Sequence, residues 1–449
     1  MESKNIIAAI SLSAAVIILY SLFFAPSQEE LKQQQIKQDV IQKNSDTPSL
    51  DKSENFTKLS RKDALKENER IKFENESIVG SISLKGATID DLTFKQYQVK
   101  LNNSEKVKLL SPRNVEDGYL IESGFVTTNK NIDMPNASTI WKVLGNKKLT
   151  NKNPIKLTWS NSQGIKFEKH ISLDNQFLFT IKERVINSSE KSYNFYSYGQ
   201  IIRNKIPEIS GFYILHEGFL SVLDDELIEE DYDDIQEKKF TQIAQEGFVG
   251  ISDKYWITSI IPQKGREFKT TFDYKNKFRA NYISTQGTEV GPNSSIEEKI
   301  QIITAAKRVN IIDGYAENLK INKFDLVIDW GFMYFITKPL FFALDYFFKL
   351  LGNYGLAIIA VTVCIRLAFF PLANFSFKSM GKMKLLAPEM ARLKELHKDD
   401  KMKLQQAMMS LYKKEKVNPM SGCLPILVQI PVFFAFYKIL FVTLEMRHM

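Results

Sequence analysis

A single arginine interrupts an apolar segment that otherwise has no charge. Arg366 lies in the run LAIIAVTVCIRLAFFPL, residues 356–372. A charge inside a membrane span costs about 2.5–3.5 kcal/mol on insertion scales, so such residues usually face protein interior or water and serve a function. Arg366 follows Leu356 by about ten residues, or roughly 15 Å along a helix. With the topology argued below, this spacing predicts a charged group in the cytoplasmic half of the membrane.

Two polar residues accompany this arginine. Thr362 precedes Arg366 by four residues and therefore shares its helix face. Gln429 lies in a second apolar run, residues 424–444, and is flanked by two prolines. A positive charge in a half-open groove of low dielectric attracts an acidic or polar segment and would hold it within the membrane without any change of covalent bonds. The alternative is that Arg366 snorkels to the cytoplasmic headgroups.

The elements that position these residues begin with an apolar N-terminus. The 20 residues 6–25 match the thickness of a bilayer core and predict an uncleaved transmembrane anchor at 1–26. A signal peptide is the alternative, although its apolar region is usually shorter. Residues 27–76 are polar and predict a flexible periplasmic linker. From 77 to 324, short alternating runs separated by turn residues predict a large all-β periplasmic domain of the sandwich type.

The segment at 325–352 is aromatic, and after Trp330 it carries three charges, Lys338, Asp345 and Lys349. At 100° per residue these charges fall within about 60° of one another, on one helix face. A charged stripe on an apolar helix is typical of an amphipathic helix that lies in the membrane interface. Asp345 and Lys349 also have the i,i+4 spacing of an ion pair. A transmembrane helix, the second of the chain, is predicted to follow at 353–377.

A basic segment at 378–420 predicts a cytoplasmic helical hairpin. It carries eleven Lys or Arg and five Asp or Glu between Lys378 and Lys416. The positive-inside rule puts such a segment in the cytoplasm, which agrees with an N-terminus inside and an aromatic helix that does not span. Apolar residues at three- and four-residue spacing predict two helices packed on each other, and the residues of interest are Met383, Met390, Met408, Met409 and Tyr412. A third transmembrane helix is predicted at 421–449, in which Lys438 snorkels outward and has no role.

Composition argues against several other functions. Two cysteines, both in or beside apolar runs, exclude a disulfide framework in the β domain, and neither zinc spacing nor a histidine-rich site is present. The segment Asp224–Glu237 has nine acidic residues in fourteen, but it lacks the glycine and ligand spacing of a calcium loop and is predicted to be a solvated loop. No catalytic constellation stands out, so we predict neither an enzyme nor a bound cofactor or metal. The basic excess beside apolar spans favours contact with membrane lipids over specific nucleic-acid binding.

Four motifs resemble those of one family. They are VCIR at 363–366, FPL at 370–372, QQAMMSLYKKEKVNP at 405–419 and GCLPILVQIPVF at 422–433. At these residues the chain closely resembles the YidC/Alb3-type membrane protein insertases. The resemblance extends from the first apolar run to the end of the chain.

The resemblance implies a function for these positions. Arg366 is expected in a hydrophilic groove that receives the polar segment of a substrate, with Thr362, Ile430 and Phe433 along the substrate's path. The basic hairpin is expected to be needed for activity, and the β domain to be a β-supersandwich without known catalysis. The resemblance further implies a multi-pass protein of the bacterial inner membrane that inserts nascent membrane proteins and helps them fold, alone or with the Sec translocon.

One departure and several alternatives stay open. The family has three further spans after the point that matches His448, so the chain resembles a product truncated after its third transmembrane span. A transporter or receptor with a periplasmic ligand-binding domain would favour repeated sets of spans, which the sequence does not show. A membrane-anchored carbohydrate enzyme would need an active site within 77–312. The hairpin is equally compatible with ribosome contact and lipid contact, and deletion of most of residues 77–300 is predicted to be tolerated.

Overall fold

The computed structural model describes residues 59–101, 104–208, 215–398, 400–415, 417 and 424–447. The predicted anchor at 1–26, most of the predicted linker and the start of the motif at 422–433 lie outside these residues. After a short helix α1 (Arg61–Ala64), the chain forms a large β domain and then a series of apolar helices. The predicted combination of a large all-β domain with membrane-spanning α-helices is confirmed.

Two large sheets build the β domain. Its strands are β1 (Arg70–Glu74), β2 (Ile78–Ser83), β3 (Thr88–Gln98), β4 (Lys106–Leu110), β5 (Tyr119–Val126), β6 (Lys142–Leu144), β7 (Lys148–Leu149), β8 (Ile155–Ser160), β9 (Ile165–Leu173), β10 (Leu178–Asn187), β11 (Tyr193–Arg203), β12 (Gly218–Leu223), β13 (Glu226–Asp231), β14 (Phe240–Ala244), β15 (Gly247–Ser252), β16 (Trp256–Ile261), β17 (Phe268–Tyr274), β18 (Phe278–Ser284), β19 (Thr288–Val290) and β20 (Ser294–Ala306). Within the described residues, the first sheet has eleven strands in the order β14-β17-β18-β11-β5-β3-β2-β1-β7, with β19 beside β11 and β4 beside β3. The second has nine, in the order β13-β12-β15-β16-β20-β10-β9-β8-β6.

Alternating apolar residues explain why these strands pack into two layers. In β10, Phe179, Ile181 and Val185 are buried, while the residues between them are polar. Residues two apart lie on the same face of a strand, so this alternation turns one face of the sheet toward the core. Aromatic rings contribute to that core, as where Phe94 stacks on Trp256 with ring centroids 4.7 Å apart. The alternation predicted in this part of the chain is confirmed.

Two parts of the β domain differ from the sequence prediction. The predicted linker reaches residue 76, but β1 already begins at Arg70, because Ile71 and Phe73 are buried between its polar residues. The acidic segment Asp224–Glu237 is not a solvated loop. It contains β13, which pairs with β12 across the turn Asp224-Asp225, and a helix α2 (Tyr232–Glu237) that buries Tyr232 and Ile235.

The helical part begins with α3 (Val309–Leu319), a short 3-10 turn (Phe324–Val327) and α4 (Tyr334–Leu351). Gly352, with φ of 68°, ends α4 in the left-handed conformation that glycine adopts most easily. The Asn353 side chain caps the next helix, α5 (Tyr354–Leu385), by accepting a hydrogen bond from the Leu356 N–H at 3.1 Å. This tight connection brings α4 against α5, where Phe348 and Tyr354 stack with centroids 3.8 Å apart.

The second predicted transmembrane helix is longer than expected. The prediction ended it at 377, yet α5 continues without interruption to Leu385 and so includes the start of the predicted hairpin. It ends at Leu385, and the next helix, α6 (Ala387–Leu396), has Pro388 in its first turn. Proline is tolerated in the first turn of a helix but interrupts a helix interior, so the chain starts a new helix here. Helix α7 (Lys401–Lys414) and helix α8 (Leu424–Val442) follow, and a 3-10 turn (Leu444–Met446) closes the described chain.

Two helices of the described part are long and apolar enough to cross a membrane. They are residues Tyr354–Leu385 and Pro425–Val442. Only 11% and 22% of the residues in their most apolar parts are buried, so the helices present most of their apolar surface outward. A soluble protein would cover such surface, so these two helices have the character of membrane spans.

Candidate functional site

Arg366 and Phe433 face each other across the two long apolar helices. The Arg366 guanidinium carbon lies 5.8 Å from the centre of the Phe433 ring. That distance is within reach of a cation–π interaction, which holds a cation against an aromatic face. Both side chains are nevertheless exposed, Phe433 at 47%. The sequence predicted both residues for the groove, and the structure brings these two together.

The other predicted groove residues flank this pair. Thr362 is half-buried, and its hydroxyl donates to the Ile358 carbonyl one turn earlier at 2.7 Å. That bond is internal to α5 and turns the hydroxyl proton away from the groove. Gln429 is half-buried one turn before Phe433 and so shares its helix face, whereas Ile430 beside it is 43% exposed.

The predicted hairpin residues divide into two sets. The Tyr412 hydroxyl of α7 lies 3.9 Å from the Met390 sulfur of α6, a contact that joins the two helices. Met383 and Met390 line an open apolar groove together with Met380, Ala387 and Ala391. Met408 is half-buried on α7, and Met409 is 53% exposed; neither lines that groove.

The polar contacts at the outer end of α8 were missed by the sequence analysis. Lys438, to which the sequence analysis gave no role, forms an ion pair through its Nζ with Asp329 at 2.7 Å. Asp329 also accepts hydrogen bonds from the N–H groups of His216 and Gly331, each at 3.0 Å. The sequence signal was weak, because Asp329 is a single acidic residue near the start of the aromatic segment. Its partner lies 109 residues later, at a separation that no local pattern reveals.

The predicted charged stripe of α4 is only partly present. Asp345 and Lys349 form the expected i,i+4 pair at 2.6 Å. Lys338 instead turns toward the β domain and bridges Asp325 at 2.8 Å and Asp313 at 3.1 Å. Burial alone would lower the pKa of Lys338, but the hydrogen bonds and charges of these two carboxylates outweigh it and raise the pKa. Lys338 is therefore charged and anchors α4 to the segment before it.

Further contacts tie the residues after α8 to the β domain. Glu445 Oε1 accepts a hydrogen bond from the N–H of Val309, the first residue of α3, at 2.9 Å. A carboxylate at a helix N-terminus is stabilised by the helix dipole, while burial raises the pKa of Glu445. The Arg447 guanidinium lies 5.4 Å from the centre of the Trp256 ring and donates to the Val99 carbonyl at 3.1 Å.

The β domain contains buried charged side chains. Lys169 and Glu183 pair at 2.7 Å with almost no exposure. Burial lowers the pKa of Lys307 to about 8, although nearby carboxylates, Asp253 first among them, oppose the shift. Across the part of the chain that the structure describes, no three His, Cys, Asp or Glu side chains could jointly hold a metal ion.

The chain combines a two-sheet β domain with apolar helices of spanning length, and one arginine lies between two of these helices. This combination defines an integral membrane protein with a large extramembrane domain. Two family models match this chain. The model described as "YidC periplasmic domain" matches residues 70–343, and "60Kd inner membrane protein" matches residues 346–449. The chain therefore belongs to the YidC family of inner membrane proteins, and residues 70–343 correspond to the family's periplasmic domain.

Relatives from two genera carry one name. The chain is 83% identical over 449 residues to "Membrane protein insertase YidC" of Pelagibacter ubique, covering 100% of this chain and 80% of that protein. It is 42% identical to the protein of the same name from Rickettsia prowazekii, covering 99% of this chain and 80% of the relative. These relatives are named as insertases and not as enzymes.

Two solved structures have a distant likeness to this chain. An active YidC insertase crystal structure with its first transmembrane domain resolved gives a TM-score of 0.28 at 14% identity, covering 84% of this chain and 72% of that one. A galactose mutarotase related enzyme from Lactobacillus acidophilus gives 0.38 at 11% identity, covering 53% and 98%. Likeness of this size does not define a function.

Proposed function

We propose that this protein is an insertase and chaperone of the bacterial inner membrane, in which Arg366 receives the polar segment of a nascent membrane protein. The observation that carries the proposal is the exposed Arg366 guanidinium held against the Phe433 ring at 5.8 Å. No carboxylate among the described residues forms an ion pair with Arg366, so its charge is open to an incoming acidic group.

Electrostatics gives this arrangement its effect. At an effective dielectric of 20, two unit charges 4 Å apart attract by about 4 kcal/mol, compared with about 1 kcal/mol in water. An acidic tail that meets Arg366 between the helices therefore offsets part of its cost of leaving water. The exposed apolar residues Ile430 and Phe433 offer the rest of a substrate a surface beside lipid. The polar part and the apolar part of a substrate would be handled on adjacent surfaces without any chemical reaction.

The proposed topology gives each domain a side of the membrane. The anchor at 1–26, α5 and α8 span, α4 lies in the periplasmic interface, and the basic hairpin α6–α7 lies in the cytoplasm against anionic lipid. Nascent membrane proteins reach the groove from the cytoplasmic side. The Sec translocon and the ribosome are partners that this arrangement would accommodate, the ribosome at the basic hairpin.

Arg366→Ala tests the proposal. We expect it to reduce insertion of a substrate with an acidic translocated tail at least tenfold, and to leave a matched substrate with a neutral tail within about twofold, because the missing attraction acts on the acidic group alone. The assay is insertion into proteoliposomes that contain the full-length protein. Arg366→Lys, which keeps the charge, should retain much of the activity, and Lys349→Ala serves as a control for loss of an exposed lysine. Equal insertion of both substrates by Arg366→Ala would contradict the proposal.

A further inference from the structure

We infer that Lys438, Asp329 and Glu445 are positioning residues that fix the outer end of α8 on the β domain and thereby set which face of α8 meets Arg366. We call this set of contacts the outer clamp. The inference rests on the proposed function, since it assigns these residues a part in building the same groove. The clamp comprises four contacts: Lys438 with Asp329, Phe441 with Lys254, Glu445 with the N–H of Val309, and Arg447 with the Trp256 ring.

The Lys438–Asp329 ion pair fixes α8 at one point of its circumference. Both side chains are mostly buried, at 14% and 16% exposure. Asp329 cannot follow Lys438 freely, because the N–H groups of His216 and Gly331 hold its two carboxylate oxygens. A mostly buried ion pair with a restrained carboxylate keeps a defined direction, unlike an exposed pair between two flexible side chains.

The contacts beyond Lys438 hold α8 a second time. Lys254, in the turn between β15 and β16, places its Nζ 3.5 Å from the centre of the Phe441 ring. Glu445 then accepts from the start of α3, and Arg447 covers the Trp256 ring. These contacts reach strands and helices of the β domain that are far apart in sequence. Two separate attachments along a helix axis restrain its tilt as well as its rotation.

The restraint at Lys438 reaches the groove because α8 is continuous between Lys438 and Phe433. Phe433 lies five residues before Lys438, about 7.5 Å along the axis. Pro431, where α8 could bend, lies on the far side of Phe433. With side chains ending roughly 5 Å from the axis, a 20° rotation at Lys438 would move Phe433 by roughly 2 Å. The guanidinium and the ring, 5.8 Å apart, are already near the ~6 Å limit of a cation–π contact.

The test measures geometry and insertion separately in the full-length protein. A photoreactive phenylalanine analogue replaces Phe433, and its crosslinks to α5 are mapped without substrate. We expect crosslinks within one helical turn of Arg366 in the parent protein, and at least a threefold loss of them in Lys438→Met. Lys438→Arg, which keeps a cationic donor for the Asp329 carboxylate, should preserve them. Lys349→Met, which removes an exposed lysine paired with Asp345, is the matched control and should change nothing.

Insertion is then measured for the same substitutions in proteins that retain Phe433. We expect Lys438→Met to lower the ratio of acidic-tail to neutral-tail insertion by at least threefold, and Lys438→Arg to keep that ratio within about twofold of the parent. A general fold defect would lower insertion of both substrates equally in Lys438→Met, and that outcome overturns the inference. An unchanged crosslink pattern in Lys438→Met also overturns it, as does a changed pattern with an unchanged ratio.

Failure of the proposed function would look different. If Arg366→Ala inserts both substrates as the parent does, the proposed function fails, while the crosslink measurement still decides whether the clamp sets the geometry. If Lys438→Met does not accumulate in the membrane, Glu445→Ala takes its place. It removes the Glu445 contact with the N–H of Val309 and leaves the Lys438–Asp329 ion pair intact, and a full set of parental crosslinks in that variant overturns the inference.

Discussion

At the residue scale, the β domain stabilises its buried lysines in two different ways. Lys169 donates to Glu183 at 2.7 Å and to the Ser123 carbonyl at 2.5 Å, so its charge is balanced inside the core. Lys307 donates to the Ser252 hydroxyl at 2.5 Å, and no carboxylate in the described chain lies within ion-pair distance of it. Burial therefore lowers the pKa of Lys307 to about 8. Below that pH Lys307 is protonated in the folded protein, and its buried charge lowers the free energy of unfolding.

Lys307→Met should raise the free energy of unfolding above that of the parent, and this gain should be larger at pH 7 than at alkaline pH. The unfolded lysine has a pKa near 10.4, so between about pH 8 and 10.4 the unfolded parent binds more protons than the folded one, and parental stability rises with pH. The gain from Met should be largest below pH 8, at most on the order of 3 kcal/mol, and should fade as pH approaches 10.4. Thermal unfolding at pH 7 and pH 10, followed by tryptophan fluorescence, measures the difference. A gain independent of pH, or a loss at pH 7, would contradict the expectation, and Lys182→Met controls for loss of an exposed lysine.

At the element scale, α4 joins two environments. It buries Phe341 and Leu344 and leaves Phe335, Tyr346 and Leu350 between 64% and 72% exposed. Its Lys338 reaches the β domain, while Lys349 lies in the open. We therefore expect α4 to lie along the membrane surface with its apolar side in the headgroup region.

Nitroxide labels can measure the depth of α4 in liposomes. Labels at residues 335 and 350 should report similar, shallow depths, because a helix in the interface keeps its two ends at one level. Had α4 spanned, these positions would differ by about 22 Å in depth. A label at Val363, exposed on α5, provides the deep reference. Depths at 335 and 350 that differ by more than about 10 Å would rule out the interfacial orientation.

The elements that the sequence predicted correctly are those with a local signal. Long apolar runs predicted α5 and α8, and alternation predicted strands such as β10. The start of the β domain was missed because Ile71 and Phe73 are surrounded by charged residues. The acidic segment was misread because the two residues that α2 buries, Tyr232 and Ile235, are outnumbered by carboxylates. In the site, the Arg366–Phe433 pairing agrees with the resemblance, but the Lys438–Asp329 pair depends on two segments meeting in space.

At the scale of the whole molecule, the β domain is part of the support for α8. The residues that follow α8 contact α3, β16 and the end of β3, three places far apart in the chain. A domain joined only by a flexible connection would make no such contacts. The β domain therefore restrains the chain at the outer end of α8.

Two deletions should separate the bulk of the β domain from the clamp. Deletion of residues 77–300 should keep partial insertion, because Asp329 and α3 remain, although the contacts of Phe441 and Arg447 are lost. Deletion of 77–329 should reduce insertion of acidic-tail substrates further, to the level of Lys438→Met. The comparison is made in cells depleted of their own insertase, with both variants at equal membrane levels. Equal activity of the two deletions would argue against a role for the Asp329 segment.

The length of α5 has a mechanical consequence. As a 32-residue helix it measures about 48 Å, of which a bilayer core of ~30 Å covers less than two thirds. In the proposed topology, the remainder projects into the cytoplasm as a rigid extension that ends where α6 begins. Pro371 removes one backbone hydrogen bond only five residues after Arg366, so bending concentrates there. In that topology, a force on the α6–α7 hairpin would act as a torque about Pro371, close to Arg366. The contacts of the outer clamp would hold α8 in place while α5 bends.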